Sequence, residues 1–119
     1  MADATTTVAS LRDAMRQFVA ERQWERFHSP KNLVMALAAE AAELLEHFLW
    51  VDNAESERMV QEPAKRRAVA DEMADVAGCL FSLCNALDLD LSDAINDKMA
   101  RNKDKYPVEQ YRGRASLDA

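Results

Sequence analysis

Four carboxylates stand out by type and spacing. Glu40 and Glu43 form an E-x-x-E pair, and Glu72 and Asp75 form a second acidic pair after 28 intervening residues. Residues three apart share a helix face, so each pair offers two carboxylates on one side of its helix. Within the segment 31–51, at about 100° per residue, Glu40 falls only about 20° from Leu33. Leu37, Leu44 and Phe48 occupy the same sector, Glu43 falls next to Ala36, and Val34, Ala38, Leu45 and Leu49 make a second apolar flank. Such a helix, apolar nearly all round, is expected to be buried, and its two acids with it. The second pair repeats the pattern. Glu72 and Asp75 flank a stripe of Ala68, Cys79, Leu83 and Ala86, and Asp75 is the single charged residue from Met73 to Leu87. Buried carboxylates without partners are costly. Four of them gathered without four basic partners call for cations, and an oxygen-only donor set suits Mg²⁺, Mn²⁺ or Ca²⁺ better than zinc. The alternative is structural: Glu43 and Asp75 could pair with Lys or Arg at a helix–helix interface.

The elements that must carry these pairs are helices. Ala occurs 21 times and Leu 12 times, against 8 Val, 1 Ile and 3 Thr, a balance that favours helix over sheet. Val8, Leu11, Met15, Phe18 and Arg22 recur at helical spacing and predict a first helix from Thr7 to about Trp24. Ser29-Pro30 reads as N-cap and first-turn proline of a second helix running to about Val51. A polar stretch, 54–63, holds a short helical piece. Pro63 opens a third long helix to about Leu87, and Asp90 or Ser92 caps a fourth that ends near Lys105, before Tyr106-Pro107. The expected architecture is all-α: a four-helix bundle-type domain with short connections, one domain over residues 1–119, with 1–6 and 114–119 flexible.

Composition narrows the function. The only glycines are Gly78 and Gly113, which removes a Gly-rich phosphate loop. The net charge of −6 disfavours binding to nucleic acid polymers or anionic membrane. No apolar run is long enough to span a bilayer, and the start lacks the charge and apolar pattern of a secretory signal. Cys79 and Cys84 lie five apart, about 140° around a helix axis, which fits reduced thiols in a cytoplasmic protein better than a disulfide. Helices apolar nearly all round also exceed what so short a chain can bury alone, so a homo-oligomer, dimer or tetramer, is expected.

With these residues in view, the chain resembles the all-α nucleoside triphosphate pyrophosphohydrolases of the MazG-like superfamily, and within them the dCTP pyrophosphatase branch. The likeness is carried by Arg22–Leu33 (RQWERFHSPKNL), Glu40–Trp50 (EAAELLEHFLW), Asp71–Val76 (DEMADV) and Lys98–Pro107 (KMARNKDKYP), in that order. It implies hydrolysis of a nucleoside triphosphate to the monophosphate and pyrophosphate. Glu40, Glu43, Glu72 and Asp75 would hold Mg²⁺, or Mn²⁺, on the triphosphate, and a glutamate would activate the attacking water. It further implies that Trp24 and Trp50 flank the base, and that Lys98, Asn102, Lys105 and, more weakly, Arg112 reach phosphate or sugar oxygens. His28 and His47 are read as structural, since no zinc-like cluster surrounds them. Two positions depart from the dCTP-preferring pattern. Met15 stands where those relatives carry His, and Cys79 where they carry Tyr; both positions are expected to face the base. The resemblance therefore predicts the metal chemistry but a softer, apolar base pocket, open to several bases or to modified ones. Two other readings remain: a non-catalytic helical interaction module, and a phosphohydrolase of phosphoribosylated metabolites.

Overall fold

The computed structural model describes residues 1–116. Six α-helices and two 3-10 turns (Ala2–Ala4 and Glu25–Phe27) make up its regular structure, and among the described residues there is no strand. The helices are α1 (Val8–Glu21), α2 (Pro30–Glu46), α3 (Asn53–Met59), α4 (Pro63–Leu87), α5 (Leu91–Lys105) and α6 (Val108–Tyr111). The all-α expectation is met, and the short helical piece expected after the second helix is α3.

Local chemistry explains the boundaries. Thr7, Ser29, Asp52 and Asp90 each cap a helix by accepting the backbone N–H three residues on: Ser10, Asn32, Glu55 and Asp93. Pro30 and Pro63 occupy the first turns of α2 and α4, where a missing N–H costs nothing. Two predicted ends were too long. α1 stops at Glu21 rather than Trp24, because Gln23 takes a left-handed backbone (φ 54°). The Gln23 N–H then bonds Ala20 O at 3.0 Å and the Trp24 N–H bonds Val19 O at 3.1 Å, the paired bonds of a Schellman ending. α2 stops at Glu46 rather than Val51. The N–H groups of His47, Phe48 and Leu49 shift to carbonyls three residues back, and Trp50 turns left-handed (φ 67°).

The chain divides into two compact units, one over Met1–Asp88 and one beginning at Leu89. In the first, α4 is the central element, packed by α2 and by α1. Val19 of α1, Leu33 of α2, Met59 of α3 and Ser82 and Cys84 of α4 are its most buried residues. The apolar flank of α2 and of the turn after it is open: Val34, Leu45 and Leu49 are 51%, 59% and 46% exposed. The expectation that this helix is covered all round therefore does not hold within one chain. In the second unit, Asp90 caps α5, the Tyr106 N–H bonds Asn102 O at 2.8 Å, and the Tyr106 and Tyr111 rings meet edge to face at 5.1 Å. Gly113 turns the chain with φ 74°. Of the tail expected to be flexible, 117–119 lie outside the described residues. Among the described residues no helix is long and apolar enough to cross a membrane.

Candidate metal and nucleotide site

The packing of α2 on α4 brings the two acidic pairs together. Glu40, Glu43 and Glu72 each offer a carboxylate oxygen, and these three atoms lie within 4.8 Å of one another. Glu40 and Glu72 are half-buried, whereas Glu43 and Asp75 are exposed. The expectation of four buried acids is thus corrected: only Glu40 and Glu72 are even half-buried, because a three-residue step turns the second acid of each pair about 60° around its helix and leaves Glu43 and Asp75 exposed. The Oε2 atoms of both Glu40 and Glu72 are buried and have no hydrogen-bond partner. Buried polar atoms are normally satisfied, so two orphaned carboxylate oxygens in one cluster mark a place built for something else.

The electrostatics agree. The Glu40 carboxyl is held above the ordinary glutamate range, first by burial, then by its hydrogen-bonding contact with Glu43 and the fields of Glu43, Asp75 and Glu72. Glu72 is raised likewise, first by burial, then by Glu43 and Asp75, with His47 acting in the opposite sense. Like charges at this spacing cannot all ionise cheaply without a cation between them. An all-oxygen donor set with unpartnered lone pairs fits a hard divalent ion such as Mg²⁺ or Mn²⁺, with Glu40, Glu43 and Glu72 as holders and Asp75 beside them.

A cavity of about 330 Å³ borders the acids. Glu40 and Asp75 line it together with Met15, Phe18, Trp24, Gly78 and Cys79, and with His28, Leu33 and Ser82. Three of the residues expected to face a base, Met15, Trp24 and Cys79, therefore share one cavity with two of the acids. The Schellman ending of α1 positions Trp24: it folds the indole back onto Phe18, with ring centroids 5.8 Å apart, and Arg22 covers the Phe18 ring from 3.7 Å. Gly78 makes room for Met15, since a Cβ there would meet Met15 Cε at 3.2 Å. Burial, with the fields of Glu40 and Asp75, pushes the Cys79 thiol up, so it lines the cavity uncharged. Cys79 and Cys84 are both free thiols.

Trp50 stands 99% exposed at the end of α2, outside the residues that line this cavity. Lys98, Asn102 and Lys105 recur at spacings of four and three on one face of α5, and Arg112 caps α6; all four belong to the second unit. Within it Asn102 is half-buried, Lys98 and Lys105 are exposed, and the Lys105 ammonium lies 5.4 Å from the Tyr106 ring.

Two residues set aside as structural enter the site. His28 lines the cavity. His47 approaches Glu72, with Nε2 4.0 Å from Oε1. The spacing held a signal for the second: His47 is four residues after Glu43 and seven after Glu40, on the carboxylate face of α2.

Residues 35–116 match the MazG-like family. The chain is 39% identical to dCTP pyrophosphatase 1 of Rattus norvegicus over 109 residues, 92% of this chain and 64% of that protein. It is 37% identical to dCTP pyrophosphatase 1 of Homo sapiens over 86% of this chain and 60% of that one. The chain thus spans somewhat under two thirds of the length of these curated relatives. Among solved structures it resembles a pyrophosphatase from Archaeoglobus fulgidus, with a TM-score of 0.77 and 37% identity over 83% of this chain and 91% of that one.

Proposed function

The chain belongs to the MazG-like family, and from that premise we propose that it is a Mg²⁺-dependent nucleoside triphosphate pyrophosphohydrolase, splitting dCTP or a modified pyrimidine nucleotide into the monophosphate and pyrophosphate. The observation that carries the reading is the carboxylate trio with its two buried, unpartnered oxygens, placed beside a cavity that presents Trp24, Met15 and Cys79. The chemistry of the four acids requires a cation before a triphosphate of about four negative charges can approach. When bound, a divalent ion supplies charge neutralisation, a more acidic water and stabilisation of the departing pyrophosphate.

The chain's own groups do the rest. Glu40, Glu43, Glu72 and Asp75 would hold the cation, and one of the glutamates would accept the proton of the attacking water. Trp24 stacks on the base, and an aromatic face does so for any base. We assign Trp50 to the same stacking role. Lys98, Asn102, Lys105 and Arg112 carry hydrogen-bond donors suited to phosphate or sugar oxygens. Met15 and Cys79 have almost no hydrogen-bonding power, so discrimination among pyrimidines is modest.

The open apolar side formed by Val34, Leu45 and Leu49 supports assembly as a homo-oligomer, dimer or tetramer, and we assign the protein's action to nucleotides of the cytoplasm. The test is a panel of canonical and modified nucleoside triphosphates with pyrophosphate release measured, with Mg²⁺ and with EDTA. Pyrophosphate and monophosphate are the expected products, in Mg²⁺ alone. A nucleoside diphosphate as first product, or full turnover in EDTA, overturns the reading.

A further inference from the structure

His47 is the C-cap residue of α2, and it lies against the face of α4 that carries both Lys65 and Glu72. Those two are seven residues apart, two helical turns on one side of α4. The Lys65 ammonium Nζ is 3.0 Å from His47 Nδ1, and His47 Nε2 is 4.0 Å from Glu72 Oε1. An ammonium has three donors and no acceptor, so Lys65 donates and Nδ1 must present its lone pair. A neutral imidazole whose Nδ1 accepts carries its proton on Nε2. Lys65 therefore sets the tautomer, and the Nε2–H is the end that faces Glu72. The separation of 4.0 Å exceeds a hydrogen bond; a movement of about 1 Å closes it. His47 is 22% and Glu72 21% exposed at the side chain, so this contact is shielded from much of the solvent screening that weakens surface pairs. Glu72 thereby has two different oxygens: Oε1, with His47 Nε2 4.0 Å away, and Oε2, buried without a partner.

We propose that His47 is a positioning residue for the site: locked by Lys65 in the Nε2–H tautomer, it holds Oε1 of Glu72 and so presents Oε2 to the divalent cation. The inference rests on the metal reading given above and adds to it a Lys65–His47–Glu72 relay in which neither Lys65 nor His47 is itself a ligand. Groups that orient a metal-binding carboxylate set its rotamer in advance, and loss of such a group typically weakens metal binding or activity by about 10–100-fold. Both partners come from the same two helices that bring the acids together, so the packing that forms the trio also forms the relay. His28, the other histidine, lines the cavity together with Glu40 and Asp75.

The test has two parts. In the metal-free protein, ¹⁵N shifts of the imidazole report the tautomer directly. The wild type should show His47 as Nε2–H with no Nδ1–H form, and Lys65→Met should relax it toward the mixture of tautomers of a free imidazole. Mn²⁺ affinity is then measured by electron paramagnetic resonance for the wild type, His47→Leu, His47→Gln and Lys65→Met, with circular dichroism confirming the fold. His47→Leu should bind Mn²⁺ about tenfold more weakly. His47→Gln, which retains an N–H at the ε position, should recover most of the loss, and Lys65→Met should fall between. An Nδ1–H tautomer in the wild type overturns the relay, and does so even if His47→Leu fails to fold. Unchanged Mn²⁺ affinity in His47→Leu, or equal losses in the Leu and Gln variants, also overturns it. A wild type that binds no Mn²⁺ brings down the metal reading itself, a result distinguishable from failure of the relay alone because the tautomer is read without metal.

Discussion

Two polar seams meet the same central helix and differ in kind. Where α1 crosses α4, Asn85 Oδ1 accepts from Arg12 Nε at 3.1 Å and from Arg16 Nη2 at 2.9 Å, while Asn85 Nδ2 donates to the carbonyl of Arg12 at 3.0 Å. Every polar end of Asn85 is answered, and Arg16 also pairs with Asp13. Where α2 crosses α4, three carboxylates converge, two of their oxygens are buried with no partner, and the fields that act on them are mostly repulsive. A satisfied network fixes how two helices sit. An unsatisfied one works against the apo fold and is understandable only if a ligand completes it. One helix thus carries a satisfied polar cluster on one side and an unsatisfied one on the other, a contrast drawn without reference to any motif.

The largest expected effect breaks the acidic seam. Glu40→Ala and Glu72→Ala should each lower turnover by about 10³-fold or more, since removing one group that stabilises developing charge already costs 10²–10³-fold. Yet the apo proteins should melt no lower than wild type, because each change relieves like-charge repulsion. A sharp fall in melting temperature in both would show that these acids hold the fold by ion pairing.

The mirror experiment breaks the satisfied seam. Asn85→Ala strips three hydrogen bonds from two arginines and should cost about 1–3 kcal/mol of stability, read by urea unfolding, while Mn²⁺ affinity of the folded protein stays unchanged. A variant that keeps its stability but loses the metal would invert the distinction between the two seams.

The third prediction concerns pH. Glu40 and Glu72 have folded-state proton affinities raised above the ordinary glutamate value of 4.5. The folded state then binds more protons than the unfolded one in the range above 4.5, so these groups make the apo protein more stable as pH falls from neutral toward that range. That stability is lost as pH rises through their raised values. Saturating Mg²⁺ should reverse the slope, since the cation needs the ionised carboxylates. Melting curves between pH 5 and 8, with and without Mg²⁺, check it; the same slope in both conditions contradicts the assignment.

The two smallest effects sharpen the pocket beside the acids. Met15→His with Cys79→Tyr should add polar groups at the base edge and sharpen preference for cytosine nucleotides over thymine and uracil ones. An unchanged ranking in competition assays would place base reading elsewhere. Gly78→Ala gains helix propensity of about 1 kcal/mol but pushes on the Met15 methyl, the flexible end of its side chain. Its melting temperature should stay level or rise slightly, with KM altered about twofold.

Short-range patterns already carried the helical class, the caps at Ser29 and, of two candidates, Asp90, and the two acidic pairs, because these depend on interactions within a few residues: a Ser or Asp one position before a helix, a proline in its first turn, carboxylates three apart. Through their surrounding motifs Met15, Trp24 and Cys79 were also grouped, and the packing brings all three to one cavity. What only the tertiary structure decided were matters of distance between helices. The depth of the acids is one: helical phase put all four inside, but where α2 packs on α4 Glu40 and Glu72 are half-buried and Glu43 and Asp75 exposed. The ends of α1 and α2 are another, since left-handed turns at Gln23 and Trp50 occur at residues with no intrinsic preference for them. The role of His47 is the third. A histidine without neighbouring ligands looks inert along the chain, and it becomes part of a site only because α4 brings Lys65 and Glu72 to its two ring nitrogens from 18 and 25 residues away. Periodicity can say that a side chain shares a face; which group it meets across the interface is set by packing, which acts between residues that no local spacing connects.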